Sequence, residues 1–206
     1  MKIYNYLNRK KEGFKPLRGK MVGLYTCGPT VYDRAHIGNL RTYIFEDILR
    51  RALEAAGYRV KHVMNITDVD DKVIARARER GISIHELAKP YEAAFHADLK
   101  KLNIKPAWKY PHATEHIDEM IALIGRLMRK GLAYERDGSI YFDISKFARY
   151  GRLSRVKKRE LKAGARVDAD EYTKDAAEDF VLWKAKKESE PSWPSPWGEG
   201  RPGWHI

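Results

Sequence analysis

Thr26-Cys27-Gly28-Pro29-Thr30-Val31-Tyr32-Asp33-Arg34-Ala35-His36-Ile37-Gly38-Asn39 brings a thiol, a tight Gly-Pro turn, an imidazole and a carboxamide into one short stretch. His36 and Asn39 are three residues apart, so at the start of a helix they share a face. A helix N-terminus offers unpaired backbone N–H groups and partial positive charge, which suits a phosphate. His36 and Asn39 placed there would hydrogen-bond the phosphates of a nucleoside triphosphate and stabilise charge gained as its α-phosphate is attacked. Gly38, having no Cβ, would let a flat base approach the backbone. The competing reading is a plain helix cap, since such residues at helix starts often serve only that purpose. Cys27, the single cysteine, is by itself either a ligand or a small buried hydrophobe.

The elements that must position this loop are legible around it. Residues 21–27 read as a buried strand rich in β-formers, halted by Gly28-Pro29. Leu40, Ile44, Ile48, Ala52 and Ala55 recur at helical spacing over 40–56, and Gly57 fits the C-terminal cap. Residues 59–66 read as a second strand. Strand, helix and strand so close together form a βαβ crossover, which makes the strands parallel and adjacent and opens a doubly wound α/β sheet. In such sheets ligands bind at the carboxyl ends of strands, where the loop lies.

Further on the pattern turns helical. Thr67-Asp68-Val69-Asp70 reads as a capping box for a helix closed by Gly81, and Ser83-Ile84-His85-Glu86 as a second box. Pro90 is expected to kink that second helix near its first turn. A Pro/Trp/Tyr segment at 105–111 leads to an amphipathic helix over 114–130. Asp137-Gly138 predicts a type I′ hairpin turn between 132–136 and 139–144. Phe180-Val181-Leu182-Trp183 reads as a further strand, and 188–203 as a Pro/Gly loop.

With 206 residues, 43% hydrophobic and 33% charged, the chain has the balance of a globular protein rather than a disordered or collagen-like one. No apolar run approaches the ~18 residues that would span a bilayer, and charge at Arg9, Lys10 and Lys11 leaves no signal-peptide core. One cysteine excludes an intrachain disulfide and points to a reducing, cytoplasmic compartment. The net charge of +12 is concentrated in residues 1–66 and in a basic run at 149–166, followed by an acidic run at 168–179. Charge segregated in this way can steer a polyanion, although a solvated surface explains charge runs equally simply.

Cys-Gly-Pro-Thr-Val-Tyr-Asp, then His36-Ile37-Gly38-Asn39, then Asn65-Ile66-Thr67-Asp68-Val69-Asp70-Asp71-Lys72 resembles the cysteinyl-tRNA synthetases. The resemblance continues in order through Tyr141-Phe142-Asp143, Gly164-Ala165-Arg166-Val167-Asp168, residues 179–184 and Gly200-Arg201-Pro202-Gly203-Trp204-His205-Ile206. His-Ile-Gly-Asn is similar to the His-Ile-Gly-His signature of class I synthetases. The resemblance implies an α/β fold, the first half of a class I Rossmann-like parallel sheet with a helical and hairpin insertion. Residues 1–115 would form that first half, 116–200 the connective insertion, and 201–206 the start of a second Rossmann half.

It also implies an enzyme that activates cysteine with ATP and Mg²⁺ to cysteinyl-adenylate and passes it to the tRNA 3′ end. His36 and Asn39 would be catalytic, and Thr30, His36, Gly38 and Asn39 would hold the nucleotide. Cys27, Gly28, Thr67 and Trp204 would line the cysteine pocket. Cys27 would ligate Zn²⁺, which deprotonates the substrate thiol and so discriminates against serine. Outside the resemblance, Thr67 and Asp68 read as a helix cap and an acidic first turn, Trp204 as core, and Thr30 and Tyr32 as loop-shaping residues. The family's remaining zinc ligands, a second cysteine first among them, follow Ile206, so this chain alone is expected to be a monomer that holds zinc poorly and activates cysteine inefficiently. Two alternatives stand beside this one: a paralogous ligase joining cysteine to an amino-sugar, and a non-catalytic tRNA-binding module using the basic run, with salt-dependent binding.

Overall fold

A computed structural model describes residues 1–153 and 179–206. The basic run beyond 153, the motif at 164–168 and the acidic run up to 178 lie outside the described residues. The chain divides into two compact units, one comprising Met1 and residues 14–116, the other residues 2–13 and 117–206.

In the first unit β3 (Met21–Thr26) and β4 (Arg59–Met64) pair in parallel, from Met21 opposite Arg59 to Thr26 opposite Met64, with α1 (Ile37–Ala55) as the crossover. The expected βαβ unit is therefore present. α1 ends as the sequence suggests: Gly57 at φ 85° donates to the Glu54 carbonyl while Tyr58 donates to Leu53, a Schellman motif. Its buried face is different from the expected stripe. Tyr43, Asp47 and Leu53 are buried, whereas Ile44 and Ile48 are exposed. Asp47 tolerates burial because its carboxylate accepts from the Lys105 amide at 3.1 Å and pairs with Arg51.

β3 is not the fully buried strand its composition suggests. Val22 and Thr26 are buried, but Met21 and Tyr25 are exposed, so burial alternates along the strand and only one of its faces is covered among the described residues. A third parallel segment runs along the other edge of β4, which the sequence reading missed. Val63 bridges Lys109 and Ile66 bridges His112, and the amides of Trp108, Met64 and Ile66 donate across the gap. Pro106 and Pro111 mask its strand character in the sequence.

The helix after β4 starts later than expected. α2 (Asp71–Arg80) is capped by Asp70, whose carboxylate accepts from the Val73 amide at 2.8 Å, so Thr67 and Asp68 are freed from that role. Gly81, at φ 65°, closes it. α3 (Ile84–Lys101) has the expected Ser83–Glu86 capping box and runs through Pro90 in its second turn. Val31, Tyr43, Met64, Ile66, Phe95 and Leu99 form the heart of the core between α1, α3 and the sheet.

In the second unit β1 (Lys2–Asn5) and β2 (Lys10–Gly13) form an antiparallel hairpin. α4 (Ile117–Arg129) follows a single 3₁₀ turn of the first unit, Ala113–His116, and packs on an antiparallel sheet in the order β5 (Ala133–Arg136), β6 (Ser139–Phe142), β7 (Phe180–Ala185) and β8 (Gly200–Pro202). Asp137 and Gly138 have φ of 51° and 72°, the signature of the expected type I′ turn. Arg201 and Pro202 are thus part of the edge strand of this sheet. Among the described residues no helix is long and apolar enough to cross a membrane.

Candidate active site

The carboxyl ends of β3 and β4 part at Thr26 and Met64 and rejoin three residues further on. There Thr67 donates its amide to the Pro29 carbonyl at 2.9 Å and accepts from the Val31 amide at 3.1 Å, setting Thr30 beside Thr67. Cys27-Gly28 and Asn65-Ile66 form the two lips of the opening between. Asn65 spans it: its Oδ1 accepts from the Gly28 amide at 3.1 Å and the Tyr25 hydroxyl at 3.0 Å, and its Nδ2 donates to Thr67 Oγ1 at 3.1 Å. The lips are close. A Cβ on residue 28 would lie 1.8 Å from the Asn65 carbonyl oxygen and 2.9 Å from Met64 Cγ, so only glycine fits.

Cys27 is exposed on this rim, and its Sγ is 3.8 Å from the Gly28 carbonyl. Partial burial of the sulfur, with the Glu46 carboxylate behind it, pushes the thiol above its ordinary range. Glu46 is itself raised by burial, against a hydrogen bond from Thr26, and its Oε2 is buried without a partner. Thr26 Oγ1 also meets His62 Nε2 at 2.9 Å, which extends the polar chain into the core.

The loop from Gly28 to His36 is pinned onto α2. Tyr32 packs on the Val73, Ala77 and Leu87 cluster, with Lys72 Nζ over its ring at 5.5 Å, and Asp33 pairs with Arg76 at 3.4 Å. At its end His36 and Asn39 form a reciprocal capping box at the start of α1. His36 Nδ1 accepts from the Gly38 amide at 3.0 Å, and Asn39 Oδ1 accepts from the His36 amide at 3.1 Å. The cap reading is therefore met by Nδ1 and Oδ1, and it leaves other atoms of the same two side chains out of the cap. Because Nδ1 is an acceptor, the ring's N–H is at Nε2; because Oδ1 is an acceptor, both Nδ2 hydrogens of Asn39 remain to donate. Gly38 acts through the ring as well as through open backbone, since a Cβ there would lie 2.8 Å from His36 Cε1.

Cys27, Gly28, Thr30, Thr67, His36, Gly38 and Asn39 thus all lie at the carboxyl end of one βαβ unit, in its loops and at the start of α1. Trp204 belongs to the second unit, where it is 64% exposed and edge-on to His205 at 4.8 Å. Sequence reasoning gave Asn65 no role. Its side chain works on residues 37 and 40 positions away, and no local pattern reports such a span. No group of three or more His, Cys, Asp or Glu side chains among the described residues could hold a metal ion.

An open parallel sheet whose crossover helix starts at its carboxyl edge defines an α/β fold of the doubly wound kind, and solved structures share that fold. Mycobacterium tuberculosis methionyl-tRNA synthetase, solved with methionyl-adenylate, matches with a TM-score of 0.53 at 21% identity over 62% of this chain and 25% of that one. The LeuRS of Agrobacterium radiobacter K84, from a ternary complex with tRNA and LeuAMS, matches with a TM-score of 0.50 at 24% identity over 60% and 16%. At these identities the likeness concerns the fold.

Residues 13–206 match the pattern of the tRNA synthetases class I (C) catalytic domain, and the chain belongs to that family. Its curated relatives include the cysteine–tRNA ligases of Pyrococcus furiosus, 54% identical over all of this chain, and of Chlamydia trachomatis serovar D, 56% identical over 99% of it. That of Brachyspira hyodysenteriae is also 56% identical over 99%. The chain spans 43–44% of the length of these relatives.

Proposed function

We propose that this chain carries the activation loop of a cysteine–tRNA ligase, with ATP at the start of α1 and cysteine between the two lips. A carboxylate oxygen of cysteine attacks the α-phosphorus, pyrophosphate leaves, and the resulting cysteinyl-adenylate passes its acyl group to the tRNA 3′ end. The observation that carries this reading is the capping box, which leaves His36 Nε2–H and the Asn39 amide hydrogens as donors at a helix N-terminus. Such donors meet the charge that builds on the α-phosphate oxygens without reorganising during the reaction. The identity to cysteine–tRNA ligases across the whole chain supports the choice of amino acid and acceptor.

The same reading places Thr30 and Gly38 against the nucleotide, Gly28 and Thr67 against cysteine, and Mg²⁺ with the triphosphate. Cys27 supplies one thiolate of the sort zinc takes. A stable zinc site needs three or four protein ligands, and among the described residues no such group exists, so no step is assigned to that metal here. A monomer in the cytoplasm completes the reading, supported by the lone cysteine.

The test is a graft of residues 1–206 onto the remainder of the Pyrococcus furiosus ligase. Cysteine-dependent ATP–pyrophosphate exchange is expected, with a loss of about 10²–10³-fold in His36→Ala/Asn39→Ala. A folded graft without exchange, or a double variant that exchanges normally, refutes the reading. Charging of tRNA rather than of an amino-sugar amine identifies the acceptor.

A further inference from the structure

The three hydrogen bonds of Asn65 have a direction, and that direction reaches the pocket. The Gly28 backbone N–H can only donate, so the Asn65 atom facing it at 3.1 Å is the carbonyl oxygen Oδ1. The Tyr25 hydroxyl, 3.0 Å from the same oxygen, donates there too. The Nδ2 atom is thereby turned towards Thr67, whose Oγ1 must accept at 3.1 Å. A threonine hydroxyl that accepts from an amide keeps its own hydrogen. Thr67 Oγ1 makes no other hydrogen bond among the described residues, and the residue is only partly buried. Its backbone is held on both sides, by Pro29 and Val31, which fixes the residue beside the opening.

We infer that Asn65 is a positioning residue that makes Thr67 a hydrogen-bond donor into the pocket, so that the ligand atom Thr67 meets is an anionic or carbonyl oxygen of the aminoacyl group rather than an ammonium. This rests on the proposed cysteine site and deepens it: it assigns the polarity of one wall. It also explains why an amide is needed at position 65. A leucine would leave the Gly28 amide without a partner, and an aspartate would satisfy Gly28 and Tyr25 yet offer Thr67 only an acceptor. In that last case the Thr67 hydrogen turns back towards residue 65 and the pocket meets a lone pair.

Asn65→Asp is therefore the discriminating variant, because it is isosteric and retains two of the three bonds. The whole 206-residue chain is titrated with a non-hydrolysable cysteinyl-sulfamoyl adenosine, alongside Thr67→Val, Thr67→Ser and the double variant Asn65→Asp/Thr67→Val, with thermal unfolding measured for each. Asn65→Asp and Thr67→Val are each expected to weaken binding about tenfold to a hundredfold, the range for one hydrogen bond to a charged group. The double variant should be no weaker than either single one, and Thr67→Ser should bind like the parent. Parent-like binding by a folded Asn65→Asp overturns the inference, as does a double variant in which the two losses multiply.

Absence of saturable binding by the parent chain counts against the functional reading and, with it, against the ligand half of the inference. The polarity half is then decided without ligand. Side-chain amide exchange at Asn65 should accelerate in Thr67→Val if Nδ2 donates to that hydroxyl, and unchanged exchange overturns it.

Discussion

Gly28→Ala puts the narrowness of the opening to a quantitative test. The added methyl would begin 1.8 Å from the Asn65 carbonyl oxygen and 2.9 Å from Met64 Cγ, against 3.4 Å for an ordinary contact. Neither obstacle is the free end of a flexible side chain, since one is backbone and the other belongs to a buried core residue. The two lips must therefore separate by more than about 1 Å, a displacement of the overpacking kind, which costs about 1–3 kcal/mol. The same movement breaks the Gly28–Asn65 bond and stretches the Thr67–Pro29 and Val31–Thr67 bonds, at about 0.5–1.5 kcal/mol each. Against this, alanine narrows the unfolded ensemble and returns about 0.4–1 kcal/mol. The net expectation is a loss of about 1.5–7 kcal/mol from the unit containing residues 14–116.

Urea unfolding followed by amide exchange at Met64 and Ile66, both buried in that unit, measures it directly. A loss below about 1 kcal/mol, or a Gly28 amide still protected in the variant, would show that the lips open freely and that the glycine is not required by close approach.

Gly38→Ala should separate binding from stability. The methyl pushes the His36 ring off Nδ1 contact, while alanine gains about 0.5–1 kcal/mol of helix propensity over glycine. Unfolding should shift little and ATP affinity, read by equilibrium dialysis, should fall about tenfold or more; equal affinity would dissociate His36 from the phosphates. A pH-dependent contribution is expected from His112. Burial opposes its charge, but the Glu92 carboxylate at 3.0 Å, with Asp68 and Glu115 adding to it, raises its pKa above the ordinary value, while His96 shares Glu92 at 3.6 Å. A raised folded value means that this stabilisation is complete below about pH 6.5, the unfolded imidazole value, and is lost as pH rises through the folded one. Denaturation midpoints compared between the parent and His112→Gln across pH 5.5–9 should converge on the alkaline side. Curves that run parallel would remove the ion pair from the account.

Local chemistry was readable where it closes within a few residues. Gly57, Gly81, the Ser83–Glu86 box and Asp137-Gly138 each act on backbone groups at most five positions away, so their sequence spacing is their geometry. His36 and Asn39 belong to the same class. Their spacing defined the cap, which the structure builds from Nδ1 and Oδ1, so that the proposed donors are the remaining atoms, Nε2 and Nδ2. The parallel pairing of β3 and β4 followed from the crossover rule rather than from any single residue.

Composition misled where solvent exposure depends on what lies above a surface. The apolar run at 21–27 cannot say which of its faces is covered, and Ile44 and Ile48 on α1 look as core-like as Tyr43. Nor can a strand interrupted by Pro106 and Pro111 be told from a loop before β4 is known to provide the partner for its backbone.

By itself, then, the sequence determined the βαβ unit, its helix ends, and the imidazole and carboxamide that cap α1, all of them consequences of short-range backbone hydrogen bonding and periodicity. Only the tertiary structure decided that Asn65 bridges the opening, that Gly28 is compressed against it, and that Asp70 rather than Thr67 caps α2. Those roles arise where two strand ends some 40 residues apart approach to hydrogen-bonding distance, and excluded volume and bond direction at that crossing have no counterpart in linear spacing.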